Sequence, residues 1–282
     1  MDYKDAGLID LHTHTTASDG SCTPAGLVRY AVKKGLKAIA VTDHDTLDGL
    51  PEAMEEAERL GLEVVPGVEI SVDFMPEMHI LGYFLHGDYT GIKDVLKELA
   101  EKRAERNPKI VKRLNELGMQ ISMGEVEALS GNGITGRPHI ARVMIDKGYV
   151  LSVEEAFDKY LASGRPAYFN KEKLTPAQGI GAITKAGGLP VLAHPIFLDR
   201  TWHELDALLG ELAGNGLRGI EALYSENTEE QTGELLRLAV RHNLFVTGGS
   251  DYHGSFKPSI DIGVGRGNLA VAYGLLETMK GL

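Results

Sequence analysis

Short runs of strand-forming residues alternate with amphipathic segments along most of this chain, and that alternation is the tightest restriction on its fold. It is the pattern of βα units wound around a parallel sheet. Seven candidate strands can be read, at residues 8–12, 38–42, 63–68, 78–84, 189–193, 219–223 and 245–248. The helix signals between them are explicit: "TPAGLVRYAVKKG" opens with Thr23 as N-cap and Pro24 in the first turn, and closes on basic residues and Gly35. A chain of 282 residues suits one barrel-sized α/β domain or two smaller ones.

The rhythm breaks once. From about residue 87 to about 166 the sequence reads as helices only, beginning with "IKDVLKELAEKRAERNPKIVKRLNELG", where Pro108 is expected to kink or split the helix. The charged run "KELAEKRAERNPK" reads as a solvated helix face. The expected organisation is therefore a barrel made from residues 1–86 and 167–282, interrupted by a helical insert or cap at 87–166.

The formal charge of -11 argues against a broad surface for duplex nucleic acid, which needs a basic face. Small phosphorylated substrates are compatible with it, because a few cations and a bound metal can hold one phosphate. No apolar run approaches the roughly 18 residues of a membrane span. "MDYKDAG" has neither a basic start nor an apolar h-region, so a cytoplasmic location is expected. The lone Cys22 forms no internal disulfide and reads as an ordinary thiol.

The residues able to bind metal or move protons collect where candidate strands end. His12 and His14 close the first strand, in "LIDLHTHTTASDG", with Asp19 just beyond. "VTDHD" places His44 after the second strand; Glu69 follows the third in "GVEIS"; His79 sits by the fourth in "MHILGY". His194 ends the fifth in "LAHP", and Asp251 and His253 follow the last in "GGSDYHG". Loops at the C-terminal edge of a parallel α/β sheet converge, so these scattered residues are expected to form one cluster. Imidazoles mixed with carboxylates, without thiolates, suit Zn²⁺, Mn²⁺ or Fe²⁺. One tetrahedral zinc takes about four ligands. Nine candidates imply two or three metals, with Glu69 bridging a pair. Metals about 3.5–4 Å apart can share a hydroxide and stabilise entering and leaving oxygens, which suits attack on phosphorus. Asp45 reads as a turn cap and Asp43 as a partner orienting a ligand histidine, while His86, His203 and His242 read as solvated or structural.

Taken together, "DLHTHTTASDG", "TDHD", "GVEIS", "HILGY", "AHP" and "GSDYH" resemble, in order, the motifs of the PHP family, named for polymerase and histidinol phosphatase domains. The resemblance implies a distorted seven-stranded (β/α) barrel, TIM-like, with a trinuclear metal centre. Asp19 stands where some members carry histidine. The insert is similar to that of small phosphoesterases acting on nucleoside 3′,5′-bisphosphates and on RNA or oligonucleotide 5′ ends. In "TGRPHIARVMIDKG" the family's phosphate-holding arginine and histidine fall on Arg137 and His139. Lys171 and Arg200 are further candidate phosphate contacts.

The expected activity is hydrolysis of a phosphate monoester by a metal-bridging hydroxide; the resemblance implies the 3′-phosphate of a nucleoside 3′,5′-bisphosphate such as pAp as the specific target, with trimming of oligonucleotide 5′ ends beside it. Histidinol phosphate, a cyclic sugar phosphate, an amidohydrolase reaction and a non-catalytic metal-bound module are the alternatives. The expected partner is a small phosphorylated substrate, a nucleotide by preference, with no duplex nucleic acid and no membrane; the oligomeric state is left open, a monomer included.

Overall fold

The computed structural model of the protein describes residues 7–84, 89–130, 133–169 and 173–282. Its strands are β1 (Leu8–Thr13), β2 (Ala38–Val41), β3 (Glu63–Val72), β4 (Met78–Tyr83), β5 (Leu189–Leu192), β6 (Gly219–Tyr224), β7 (Phe245–Gly249) and β8 (Val271–Ala272). They form one sheet in the order β7-β6-β5-β4-β3-β2-β1-β8, curled into a nearly closed barrel. The helices are α1 (Pro24–Lys33), α2 (Leu50–Leu60), α3 (Lys93–Glu116), α4 (Met123–Ser130), α5 (Arg137–Asp146), α6 (Val153–Ala156), α7 (Pro176–Lys185), α8 (Trp202–Gly214), α9 (Glu229–Arg241) and α10 (Tyr273–Lys280). Thr23 caps α1 by accepting from the Gly26 backbone N–H, and Gly35 beyond its end takes a φ of 75°.

The sheet is not wholly parallel. β4 runs antiparallel to both β3 and β5, because only residues 73–77 separate β3 from β4 and a parallel return needs a longer crossover. β8, an eighth and very short strand, pairs antiparallel with β1. Reversal of β4 decides where His79 lies. At the start of that strand, opposite Ser71, it reaches the edge at which the parallel strands end.

Alternate strand residues face two apolar clusters. Ile9, Leu11, Ala38, Ala40, Leu81 and Tyr83 pack with Leu276 and Met279 of α10. Ile39, Val41, Val68 and Ile70 pack with Leu27 and Val28 of α1 and Leu50 and Ala53 of α2. Leu96 and Leu99, early in α3, join this second cluster, whereas Ile110 and Leu114 later in that helix build a separate core with Val126, Ile140 and Met144.

Pro108 neither splits nor ends α3, which runs unbroken from Lys93 to Glu116. The proline lies on the exposed face, where water can serve the carbonyl that it leaves unbonded. The same helix overturns the reading of "KELAEKRAERNPK" as solvated throughout. Arg103, Arg106 and Asn107 are buried, at 8%, 4% and 1% exposure, on the stripe that carries Leu96, Leu99 and Ile110.

β7 meets β1 without a regular ladder. The contact includes Asp251 N–H donating to the His12 carbonyl at 2.9 Å, Tyr252 N–H to the same carbonyl at 3.4 Å and His14 N–H donating to the Tyr252 carbonyl at 2.9 Å. Gly249 makes that approach feasible, since a Cβ there would stand 2.3 Å from His12 Cβ and 2.5 Å from His12 N. The atoms it would meet are backbone or Cβ and cannot swing away. Gly249→Ala is therefore expected to cost about 3 kcal/mol, read as a lower urea midpoint with an unchanged slope. A shift of under a third of that size would show that the seam is compliant.

Candidate metal centre

His12 and His14 stand two apart at the end of β1, where alternation puts them on one face, past an irregularity in the pairing with β2 between Asp10 and Thr13; both, with Asp10, are buried. Glu69 lies within β3, which extends to Val72, and the strand register sets it beside His44. That pairing is fixed by backbone: Glu69 N–H donates to the Asp43 carbonyl at 3.2 Å, and Asp45 N–H to the Glu69 carbonyl at 3.0 Å. His194 stands two residues beyond β5, and Asp251 and His253 follow β7.

Glu69 is the hub. Its Oε2 is 3.2 Å from His12 Nε2, His14 Nε2 and His44 Nδ1, while Oε1 is 2.8 Å from His79 Nδ1 and 2.9 Å from His194 Nε2. Asp251 Oδ1 is 3.2 Å from His14 Nε2 and 3.5 Å from His12 Nε2. Asp19 Oδ1 is 3.3 Å from His253 Nε2, and its Oδ2 is 3.7 Å from His44 Nε2. Ligand atoms lie within 4.8 Å of one another in three overlapping groups: His14, Asp19, His44 and His253; His12, His14, Glu69 and Asp251; and His44, Glu69 and His79.

These residues fit divalent cations for a reason visible in their geometry. His12 Nε2, both ring nitrogens of His14, His44 Nδ1 and Glu69 Oε2 are buried without a hydrogen-bond partner. Unsatisfied buried polar atoms are costly, and here they converge. Burial pushes the His44 ring down to about 3, against the pull of Glu69 and Asp19, so it stays neutral with one ring nitrogen's lone pair available. Burial alone would raise Glu69, Asp19 and Asp251, yet the histidines around them, with Lys257 at Asp251, hold all three well below the carboxylate range. Burial also opposes protonation of His14 and His79, but the neighbouring carboxylates lift both to about 9. A field that holds protons on buried imidazoles will hold a metal cation in their place, and the two compete.

Several supporting residues escaped the sequence reading. Glu221, buried in β6, sits 2.9 Å from His12 Nδ1 and accepts from the His194 backbone N–H at 2.8 Å, holding one ligand ring and the backbone that carries another. Asp10 accepts from the backbone of His12, Ser250 and Gly263 and from the Ser250 hydroxyl. Asp43, expected to orient a histidine, instead accepts from Thr15 N–H, the Thr15 hydroxyl and the Ser18 hydroxyl, holding the loop between His14 and Asp19. Tyr224 and Lys257 both donate to Asp251 Oδ2, at 2.9 and 2.6 Å. The only trace of Asp10 and Glu221 in the sequence is a carboxylate inside an apolar strand. Backbone strain gathers here too: Asp45, His194 and Asp251 have φ of 54°, 27° and 58°.

The expected phosphate contacts divide. Arg137, at the start of α5, donates to Glu77 Oε2 at 2.5 Å and to the Leu161 carbonyl at 3.3 Å, beside the rings of Phe157 and Tyr168. His139 is buried and its Nδ1 accepts from Gly136 N–H at 3.0 Å, leaving the ring proton on Nε2. Arg200 is not brought to the cluster; its guanidinium is spent on the carbonyls of Met75, Leu198 and Asp199. Lys171 and His86 lie outside the described residues. His242 pairs with Asp206 far from the cluster, at 2.7 Å. Asp45 does not act as a simple turn cap, for its Oδ2 receives the Arg103 guanidinium of α3.

A second charged group adjoins the first. Glu77 Oε1 stands 3.9 Å from His79 Nε2 and 2.5 Å from Lys173 Nζ. Arg106 donates only to Asn107 Oδ1 among the described residues, and burial, with Arg103 and Arg137 nearby, pushes it down to about 9. Over the cluster lies a pocket of about 260 Å³, floored by Asp19, His44, Glu69, His79, His194, Asp251 and His253 and walled by Pro138, Val153, Phe157, Phe197 and Phe256. Among the described residues no helix is long and apolar enough to cross a membrane.

Known proteins resemble this chain over most of its length. The model of the PHP domain matches residues 10–169, more than half of the chain. The 5′-3′ exoribonuclease Rnm of Salmonella typhimurium is 34% identical over 255 residues, covering 89% of this chain and 87% of that protein. The 3′,5′-nucleoside bisphosphate phosphatase of Chromobacterium violaceum is 31% identical over 257 residues, 90% of each. A Bifidobacterium adolescentis structure described as a metal-dependent phosphoesterase superposes with a TM-score of 0.85 at 31% identity, over 97% of this chain and 96% of that one. The chain therefore belongs to the PHP domain family and is a metal-dependent phosphoesterase.

Proposed function

We propose that the protein removes the 3′-phosphate of a nucleoside 3′,5′-bisphosphate such as pAp, leaving the 5′-nucleotide, and that it also trims oligonucleotides from the 5′ end. The observation that carries this reading is the second charged group beside the metal floor. Arg103, Arg106, Arg137 and Lys173 stand together there against Asp45 and Glu77, an excess of two positive charges among the described residues. A phosphate monoester dianion is what such an excess would take up. A substrate with one phosphate would leave it unanswered; a bisphosphate answers it while its other phosphate is hydrolysed. The relatives named for bisphosphate and 5′-end chemistry support the same choice.

In this reading His12, His14, Asp19, His44, Glu69, His79, His194, Asp251 and His253 hold two or three divalent metals, Mn²⁺, Fe²⁺ or Zn²⁺. When bound, the metals supply Lewis acidity toward the phosphoryl oxygens and make water nucleophilic at neutral pH. Glu221 orients the His12 ring and Asp10 holds the His12 backbone, so this ligand needs little reorganisation during the reaction. Arg137, neutralised by Glu77 in the free protein, and His139 anchor the remote phosphate together with Arg106. The aromatic walls exclude water from the ester and accept its organic part.

The test is phosphate release from adenosine 3′,5′-bisphosphate by the Mn²⁺-loaded protein, with the product nucleotide identified and histidinol phosphate run alongside. Conversion to the 5′-nucleotide, abolished by a chelator, is expected. Turnover of another phosphate ester without conversion of the bisphosphate would discard this substrate and keep the chemistry.

A further inference from the structure

Lys257 is the single lysine or arginine lining the pocket over the metal floor among the described residues. Neither Arg137 nor Arg200 lines it, since the first is bound to Glu77 and the second to backbone carbonyls. Lys257 Nζ donates to Asp251 Oδ2 at 2.6 Å, and about a third of its side chain is open, at 35%. An ammonium has three donors, and this one spends a single donor on protein among the described residues.

Neutralising Asp251 does not by itself account for it. Asp251 Oδ2 already accepts from the Tyr224 hydroxyl, and Oδ1 faces the His12 and His14 rings. The lysine is thus held next to the floor by a carboxylate that has other partners, with its remaining donors available to a pocket occupant. A phosphoryl group resting on a floor that includes Asp251 comes within reach of an ammonium hydrogen-bonded to that same residue.

We propose that Lys257 contacts the phosphoryl group being hydrolysed and is a substrate-binding residue distinct from those that hold the remote phosphate. Charge spreads over the non-bridging oxygens as a phosphoryl group transfers, and a fixed point charge beside them stabilises that state more than the ground state. The inference rests on the phosphoesterase chemistry of the site and not on the nucleotide substrate.

The experiment is calorimetric titration of inorganic phosphate into the Mn²⁺-loaded parent protein, Lys257→Gln and Lys257→Arg, with metal content per chain and thermal midpoint measured on each. Lys257→Gln is expected to keep its metal and midpoint but bind phosphate about 10- to 100-fold more weakly, and Lys257→Arg to recover most of that loss. Steady-state constants for any ester the protein turns over should show the loss in kcat as well as KM. Unchanged phosphate affinity in Lys257→Gln would overturn the proposal. So would loss of metal in step with loss of phosphate, which would make Lys257 a positioning residue for Asp251, and so would failure of the parent protein to bind phosphate. If adenosine 3′,5′-bisphosphate is not a substrate while phosphate binding still depends on Lys257, the nucleotide reading falls and this one stands.

Discussion

Glutamine in place of Glu69 is expected to lower phosphoester hydrolysis by at least about a thousandfold, because a metal contributes several kcal/mol of charge stabilisation and each 1.36 kcal/mol is a factor of ten. Five histidines approach the two oxygens of this fully buried carboxylate. An amide of the same shape keeps one oxygen and replaces the other with a donor pair. That pair would face ring nitrogens needed as lone-pair donors, and the negative charge that offsets the cations would be gone. Metal content should fall in parallel, so turnover and metals per chain are measured on the same preparation. A variant that keeps its full complement of metal and more than a tenth of its turnover would remove Glu69 from the bridging role proposed for it.

The largest effect on stability is expected at Arg103. Its guanidinium reaches from α3 to Asp45, which is 1% exposed in the loop that also presents His44. Removing one partner of a buried ion pair is strongly destabilising, at about 3–5 kcal/mol. Arg103→Met should fall at the lower end of that range, since the Ser71 backbone N–H still donates to Asp45 Oδ1 at 3.2 Å and Arg106 and Lys173 remain nearby. Urea unfolding measures the loss. Adding Asp45→Asn to Arg103→Met should recover much of it, because a neutral amide at that position no longer calls for the lost guanidinium. A single variant within about 1 kcal/mol of the parent would show that the pair is worth no more than a surface one.

These two residues mark the boundary of what could be read from the sequence. Glu69 and the histidines were legible because each adjoins a short apolar run, and convergence of strand ends at one edge is a property of the fold class rather than of any contact. The start of α1 was equally legible, since Thr23 and Pro24 act within one turn of themselves. Arg103 and Arg106 were misread as solvated, although the spacing of Leu96, Leu99, Arg103, Arg106 and Ile110 traces one helical face. Charge outweighed periodicity in that reading, and only the presence of Asp45 and Glu77 across the interface makes burial tolerable. The reversal of β4 was hidden for a different reason: strand direction depends on the length of the 73–77 link, not on the strand's own residues. Glu221 and Asp10 could not be assigned, because a carboxylate in an apolar strand acquires its role from a partner more than 200 positions away.

The seam between β1 and β7 has a consequence for how the enzyme comes into being. His12 and His14 are synthesised before Asp251, whose backbone locks onto His12, and most of the barrel lies between them in sequence. Until the segment that follows β7 docks on β1, the polypeptide holds part of a metal cradle with nothing to shut it. Closing the barrel and completing the cluster are therefore one folding event, and a chain that has not closed presents histidines without a finished catalyst.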